Sequence, residues 1–164
     1  MKLLQFTPLL VLGCLLQFSN SFAQKKKHHV EEKRKIDVII EVNSHLVKGE
    51  MPELRIEMNN GTTPKIETQY LPGHLIVSER DFKRLDTAKK FDLCFDNYSY
   101  KSKKLYITKF RIKLTHEELE KPYLIISCYD FNDKDYRRAY QSAANKEFAV
   151  DLTYPGSTFL ARNK

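Results

Sequence analysis

The nonapeptide CYDFNDKDY, residues 128–136, gathers Asp130, Asn132, Asp133 and Asp135 directly behind an apolar run. Hard cations such as Ca²⁺ take about six to eight oxygen ligands, and closely spaced Asp and Asn at a strand end supply part of such a set. These four residues are therefore candidate metal ligands, with Ca²⁺ as the ion that suits them. The stretch is no EF-hand, because Lys134 holds the fifth position, Asp135 stands where glycine is required, and Gln141 takes the place of the closing glutamate. The plainer alternative is that these side chains cap turns of their own backbone.

A second group mixes rings with charge. NYSYKSKK, residues 97–104, places Tyr98 and Tyr100 beside Lys101, Lys103 and Lys104. Tyrosine contributes contact area at low entropic cost and lysine contributes charge, so the stretch reads as a recognition loop for carbohydrate or an acidic partner. A third group is QKKKHHVEEKRK, residues 24–35, with Lys25, Lys26, Lys27, Lys33, Arg34 and Lys35. It reads as a flexible basic arm, suited to anionic lipid headgroups or an acidic partner. The adjacent His28 and His29 make a poor chelate without further ligands.

Catalytic signatures are missing from the sequence. HEELE at 116–120 lacks the second histidine of a zinc protease, the five glycines are scattered singly, and neither a G-x-S-x-G elbow nor a CxxC pair occurs. Cys94 with His45, His74 or His116 is the remaining route to a nucleophile. The sequence assigns no catalytic and no cofactor-binding residue.

The N-terminus sets the compartment. Lys2, the apolar LLVLGCLLQF and the small residues before Gln24 together read as a cleaved signal peptide over residues 1–23. The competing reading is a lipobox, VLGC, with Cys14 as the lipidated residue. The whole chain carries a net charge of +7, yet an exported destination sets nucleic acid aside as a partner. In an oxidising compartment Cys94 and Cys128 form a natural disulfide pair. Facing argues against a bridge through the core: Phe91, Leu93 and Phe95 share one face, which leaves Cys94 with Asp92 and Asp96 on the wet side.

The elements that must position these groups are strands. Ile36, Val38, Ile40 and Val42 alternate with polar residues, as do Leu54, Ile56 and Met58; Phe110, Ile112 and Leu114; and Phe148, Val150 and Leu152. One buried and one wet face is the pattern of antiparallel sheets. Weaker strands are expected over 64–70, 73–78, 90–97 and 122–130. NNGTT (59–63) signals a hairpin, and LPG and YPG signal Pro-Gly turns. Ser78–Asp81 and Thr115–Glu118 open two short helical turns, and a third short helix fits within 133–145. Asn60 and Asn97 head N-glycosylation sequons, and DTA at 86–88 resembles a bacterial O-glycosylation sequon.

FRIKLTHEELEKPYLIISCYDFNDKDY, residues 110–136, resembles the segment of C2 domains that leads into their third calcium loop. Phe110, Ile112, Glu118, Leu119, Tyr129, Asp130 and Phe131 stand at the matching positions. The resemblance implies an eight-stranded sandwich and, through Asp130, Asn132, Asp133 and Asp135, Ca²⁺-dependent membrane or ligand binding. Asn132 departs from the aspartate of the C2 pattern, and the paired aspartates of the first calcium loop have no counterpart upstream.

These readings converge on an all-β chain: a signal peptide (1–23), a basic arm (24–35) and one antiparallel two-sheet β-sandwich of seven or eight strands with one or two helical turns (36–164). The expected function is a non-enzymatic binding or assembly module of the bacterial envelope or periplasm. It would recognise a protein or surface partner through its loops, with a homo-oligomer as a further possibility. The alternatives are the Ca²⁺-dependent binder and a small hydrolase.

Overall fold

Alternation beginning at Lys33 produces the central strand of the molecule, β1 (Lys33–Val42), in which Ile36, Val38 and Ile40 are buried. The computed structural model describes residues 31–58, 65–88, 90–140 and 146–157. Within these residues the chain continues through β2 (His45–Leu46), β3 (Arg55–Met58), β4 (Ile66–Glu67), β5 (Gln69–Leu71) and β6 (His74–Ser78). Helix α1 (Glu79–Ala88) leads into β7 (Lys90–Lys101) and β8 (Lys104–Thr115). Then come α2 (His116–Leu119), β9 (Leu124–Asp130), α3 (Lys134–Ala139) and β10 (Phe148–Thr153).

The strands form two sheets, the all-β sandwich that the alternation predicts. The larger runs β10–β9–β1–β6–β5, with β2 added to β1, and the smaller runs β4–β3–β7–β8. Ten strands are described where seven or eight are expected, two of them only two residues long. One pairing departs from the antiparallel expectation: β1 lies parallel to β9, from Val38 opposite Leu124 to Val42 opposite Cys128. The smaller sheet intervenes in sequence between these strands, so no hairpin dictates their relative direction. Alternation in a single strand reports which face is wet and says nothing about the partner's direction.

The start of β1 also corrects the expected arm. Lys33, Arg34 and Lys35 are not part of a flexible tether but pair with Ser78, Val77 and Ile76 of β6. Arg34 sits 3.8 Å over the Phe82 ring and 3.6 Å from Glu79, so a desolvated face and a carboxylate hold it in the strand. Lys25, Lys26 and Lys27, the signal peptide and the NNGTT hairpin lie outside the described residues.

The core lies between the sheets. Phe110 of β8 bridges them, with ring centroids 5.0 Å from Phe95 and 4.9 Å from Phe148. The predicted caps form: Ser78 Oγ accepts from the Asp81 N–H at the start of α1, and Thr115 with Glu118 makes a reciprocal capping box at α2. Helix α1 is longer than one turn because Phe82 and Leu85, three residues apart on one face, are both buried. Leu71-Pro72-Gly73 turns β5 into β6, and the left-handed φ of +90° at Gly73 is what glycine makes available there.

Candidate interaction site on the β7–β8 hairpin

Strands β7 and β8 are twelve residues each, and their register runs unbroken from Lys90 opposite Thr115 to Lys101 opposite Lys104. The expected loop over 97–104 is therefore not a loop. It is the end of β7, a two-residue turn at Ser102 and Lys103, and the start of β8. Both turn residues have positive φ (49° and 65°), the geometry of a type I′ turn, which matches the right-handed twist of the strands it joins. The tyrosines and lysines looked like loop residues because the turn lacks the Asn-Gly signature.

Parity along the hairpin separates the predicted residues. Tyr98 lies opposite Ile107 and Tyr100 opposite Leu105, so the four form one cross-strand quartet on the outer face. Their exposures are 46, 75, 42 and 47% for Tyr98, Tyr100, Leu105 and Ile107. Lys101 and Lys104 belong to the opposite face. Lys104 rests 5.4 Å over the Tyr106 ring, and Lys103 occupies the exposed turn. Leu105 and Ile107 escaped the sequence reading. They were nonetheless readable, because they share parity with Lys109, Arg111 and Lys113 rather than with Phe110, Ile112 and Leu114.

Of the four candidate metal ligands, Asn132 and Asp133 hold the inner face of the hairpin. Asp130 is 2% exposed, and its carboxylate accepts from the Asn132 N–H at 2.9 Å. Asn132 Nδ2 donates to Thr108 Oγ1 at 2.9 Å, on the inner face of β8. Asp133 caps α3 by accepting from the Asp135 N–H. It also meets Lys101 Nζ at 3.3 Å, and that ammonium donates to the Asn132 carbonyl at 3.0 Å. The Asp135 N–H and Lys101 hold the Asp133 carboxyl below the ordinary carboxylate range. The side chains of Asp130 and Asp133 thus cap turns, Asn132 and Asp133 clamp the hairpin's inner face, and no group of three His, Cys, Asp or Glu among the described residues is placed to hold a metal ion.

The outer face below the quartet carries a chain of charges. Arg55 Nε donates to Glu57 at 2.7 Å, Arg111 reaches Glu57 at 2.6 Å, and Arg111 also reaches Asp92 at 3.3 Å. Cys94, flanked across the sheet by Arg55 and Arg111, is 3% exposed and not wet as its parity implies. Large cross-strand side chains enclose small outer-face residues, and strand parity takes no account of that. Burial, with Glu57 adding to it, pushes the Cys94 thiol up, and burial alone does the same to Cys128. Both are free thiols. Cys94 is on the outer face of the smaller sheet and Cys128 is in the core beneath the larger one, so a sheet layer separates them.

The candidate histidines are engaged elsewhere. His74 meets Asp37 at 2.9 Å, His116 packs on Phe82 at 4.7 Å, and His45 contacts the Asn43 carbonyl. A cleft of about 1110 Å³ opens where the chain crosses between sheets at Thr68, with Tyr70 and Met51 among its lining. The charges along it are largely spent on one another, as in Arg80 with Glu31 and Arg84 with Asp81.

Fold and surface together define an all-β sandwich that presents a long hairpin, its tip clamped on one face and bearing the exposed quartet on the other. No family model, no curated protein and no solved structure matches this chain. No described helix is long and apolar enough to cross a membrane.

Proposed function

We propose that this protein is an exported, non-enzymatic binding module that recognises a protein partner through the outer face of the β7–β8 hairpin. The observation that carries the reading is the quartet Tyr98, Tyr100, Leu105 and Ile107. These are four large side chains in mutual cross-strand register, each more than two-fifths exposed. Contiguous exposed apolar surface on a soluble domain marks an interaction site, and tyrosine is favoured at the centre of such sites. The clamp through Lys101, Asp133, Asn132 and Thr108 supports the reading, because it fixes the surface in advance and lowers the entropic cost of binding. Export rests on the N-terminal segment alone, and N-terminal sequencing of the secreted form should begin at Gln24.

The direct test is capture of envelope partners by the parent and by two variants. Replacing Tyr100 and Ile107 with Ser should remove the captured protein, with a loss of affinity of about tenfold or more. Replacing Lys48 and Glu50, exposed residues outside the hairpin, should leave capture intact. Equal capture by all three proteins would overturn the proposal.

A further inference from the structure

The smaller sheet ends in β8, and no described strand pairs with its outer edge. The other edges of the sandwich are short: β4 has two residues, β5 three and β10 six. Short edges, bulges, prolines and outward lysines are the ways proteins avoid unwanted strand pairing. Of these β8 has the lysines alone. It runs twelve residues in continuous register, with no proline and no bulge. In a hairpin closed by a two-residue turn, the pair flanking the turn exchanges both hydrogen bonds, and bonded and non-bonded pairs then alternate. Lys104, Tyr106, Thr108, Phe110, Ile112 and Leu114 therefore spend their backbone groups on β7. Those of Leu105, Ile107, Lys109, Arg111 and Lys113 point away from it.

The side chains of those same five residues stand on the outer face, two apolar near the turn and three basic beyond it. A second copy of this chain is a poor occupant, because the longest antiparallel registers of β8 with itself set Lys109 against Lys109 or against Arg111. Arg111 is neutralised by Glu57 and Asp92; Lys109 and Lys113 stand opposite Asp96 and Asp92 across β7–β8, yet neither forms an ion pair with an acidic group among the described residues. Both ammonium groups are left to meet an acidic side chain on the open edge.

We infer that the outer edge of β8 takes an extended segment of a partner protein as an added strand, with acidic side chains facing Lys109 and Lys113 and apolar ones facing Leu105 and Ile107. This rests on the hairpin as the recognition element and names the chemistry of its partner. Backbone pairing provides the general affinity of strand addition, and the alternate side chains select the segment.

The test uses a synthetic peptide of about ten residues alternating Glu with Val, apolar at one end, and a Lys-for-Glu analogue, measured by fluorescence anisotropy on the purified protein. The Glu peptide should bind at least about tenfold more tightly than the Lys analogue and weaken with added salt. Lys109→Pro removes one outward N–H without touching a β7–β8 bond, so it should weaken the Glu peptide by about tenfold at unchanged melting temperature. If that variant melts early, the double variant Lys109→Glu with Lys113→Glu keeps the backbone and should reverse the preference between the peptides. Absence of binding, equal affinity for both peptides, or an unreversed preference overturns strand addition. Recognition by the quartet is judged separately by capture with Tyr100→Ser alone, a β7 residue that the added strand on β8 does not face.

Discussion

Asp133 shows how a residue that looks like a ligand is used. One carboxylate oxygen accepts the Asp135 N–H at the start of α3, and the other meets Lys101 at the root of the hairpin turn. Asp133→Ala removes both and should cost about 0.5–2 kcal/mol, the usual range for a lost cap. Asp133→Asn keeps an oxygen for the cap and loses the charge, so it should fall between Ala and the parent. The pH dependence follows from the direction of the shift. The folded carboxyl is held below its unfolded value. Its charge therefore stabilises the fold above about pH 4, and the contribution is lost as pH falls through the lower folded value. Chemical melts of the parent and Asp133→Asn should differ at neutral pH and converge in acid. A gap that persists undiminished in acid would show that the charge is not the source. The Asp-rich sequence could be read as a cap or as a cation site. What separates the two is the direction in which Asp130 and Asn132 turn, toward the backbone and toward Thr108, and tertiary packing sets that direction.

At the level of elements, the sequence was most informative where one face is buried against a packed core. The alternations over 36–42, 54–58, 110–114 and 148–152 became β1, β3, β8 and β10, and the caps at Ser78 and Thr115 start α1 and α2. It was least informative at the hairpin tip, which has no core beneath it to impose a pattern and no Asn-Gly to mark its turn. Ser102 and Lys103 occupy left-handed backbone that Asn and Gly adopt more readily. Replacing them with Asn-Gly should raise stability by about 0.5–2 kcal/mol without moving the register, since the strained pair is relieved and the hairpin signal strengthened. Amide exchange at Ser99 and Tyr106, the next hydrogen-bonded pair, should slow in the variant. Unchanged exchange would mean the turn is already held entirely by the Lys101 clamp. The same variant deletes Lys103, so any change in partner capture would separate that lysine from the quartet.

Over the whole molecule, integrity depends on a pairing that the chain makes late. β1 lies at the centre of the larger sheet, and its neighbour on one side is β9, which follows the complete smaller sheet in sequence. Ile40 and Ile126, both fully buried, meet directly across that parallel pair. Further ties gather at the same place: the Asn43 N–H donates to the Cys128 carbonyl, and the Asp130 N–H donates to the Asn43 side chain. No covalent staple substitutes for these contacts, because Cys94 and Cys128 are free and lie on different layers. Reductant should therefore leave the melting temperature unchanged. A chain ending at Lys121, which keeps β1 to β8 but lacks β9 and β10, should fail to fold. It would leave one whole side of β1 unpaired and uncover Val38 and Ile40, whose apolar burial is worth about 1.5–3 kcal/mol per side chain. Against a total stability of about 5–15 kcal/mol for a domain of this size, losing that side exceeds what the remaining sheet can absorb. A cooperative melt of the shortened chain, with native-like dispersion of its amide resonances, would show that the smaller sheet and hairpin stand on their own, and that the β1–β9 closure serves the hairpin's placement rather than the fold.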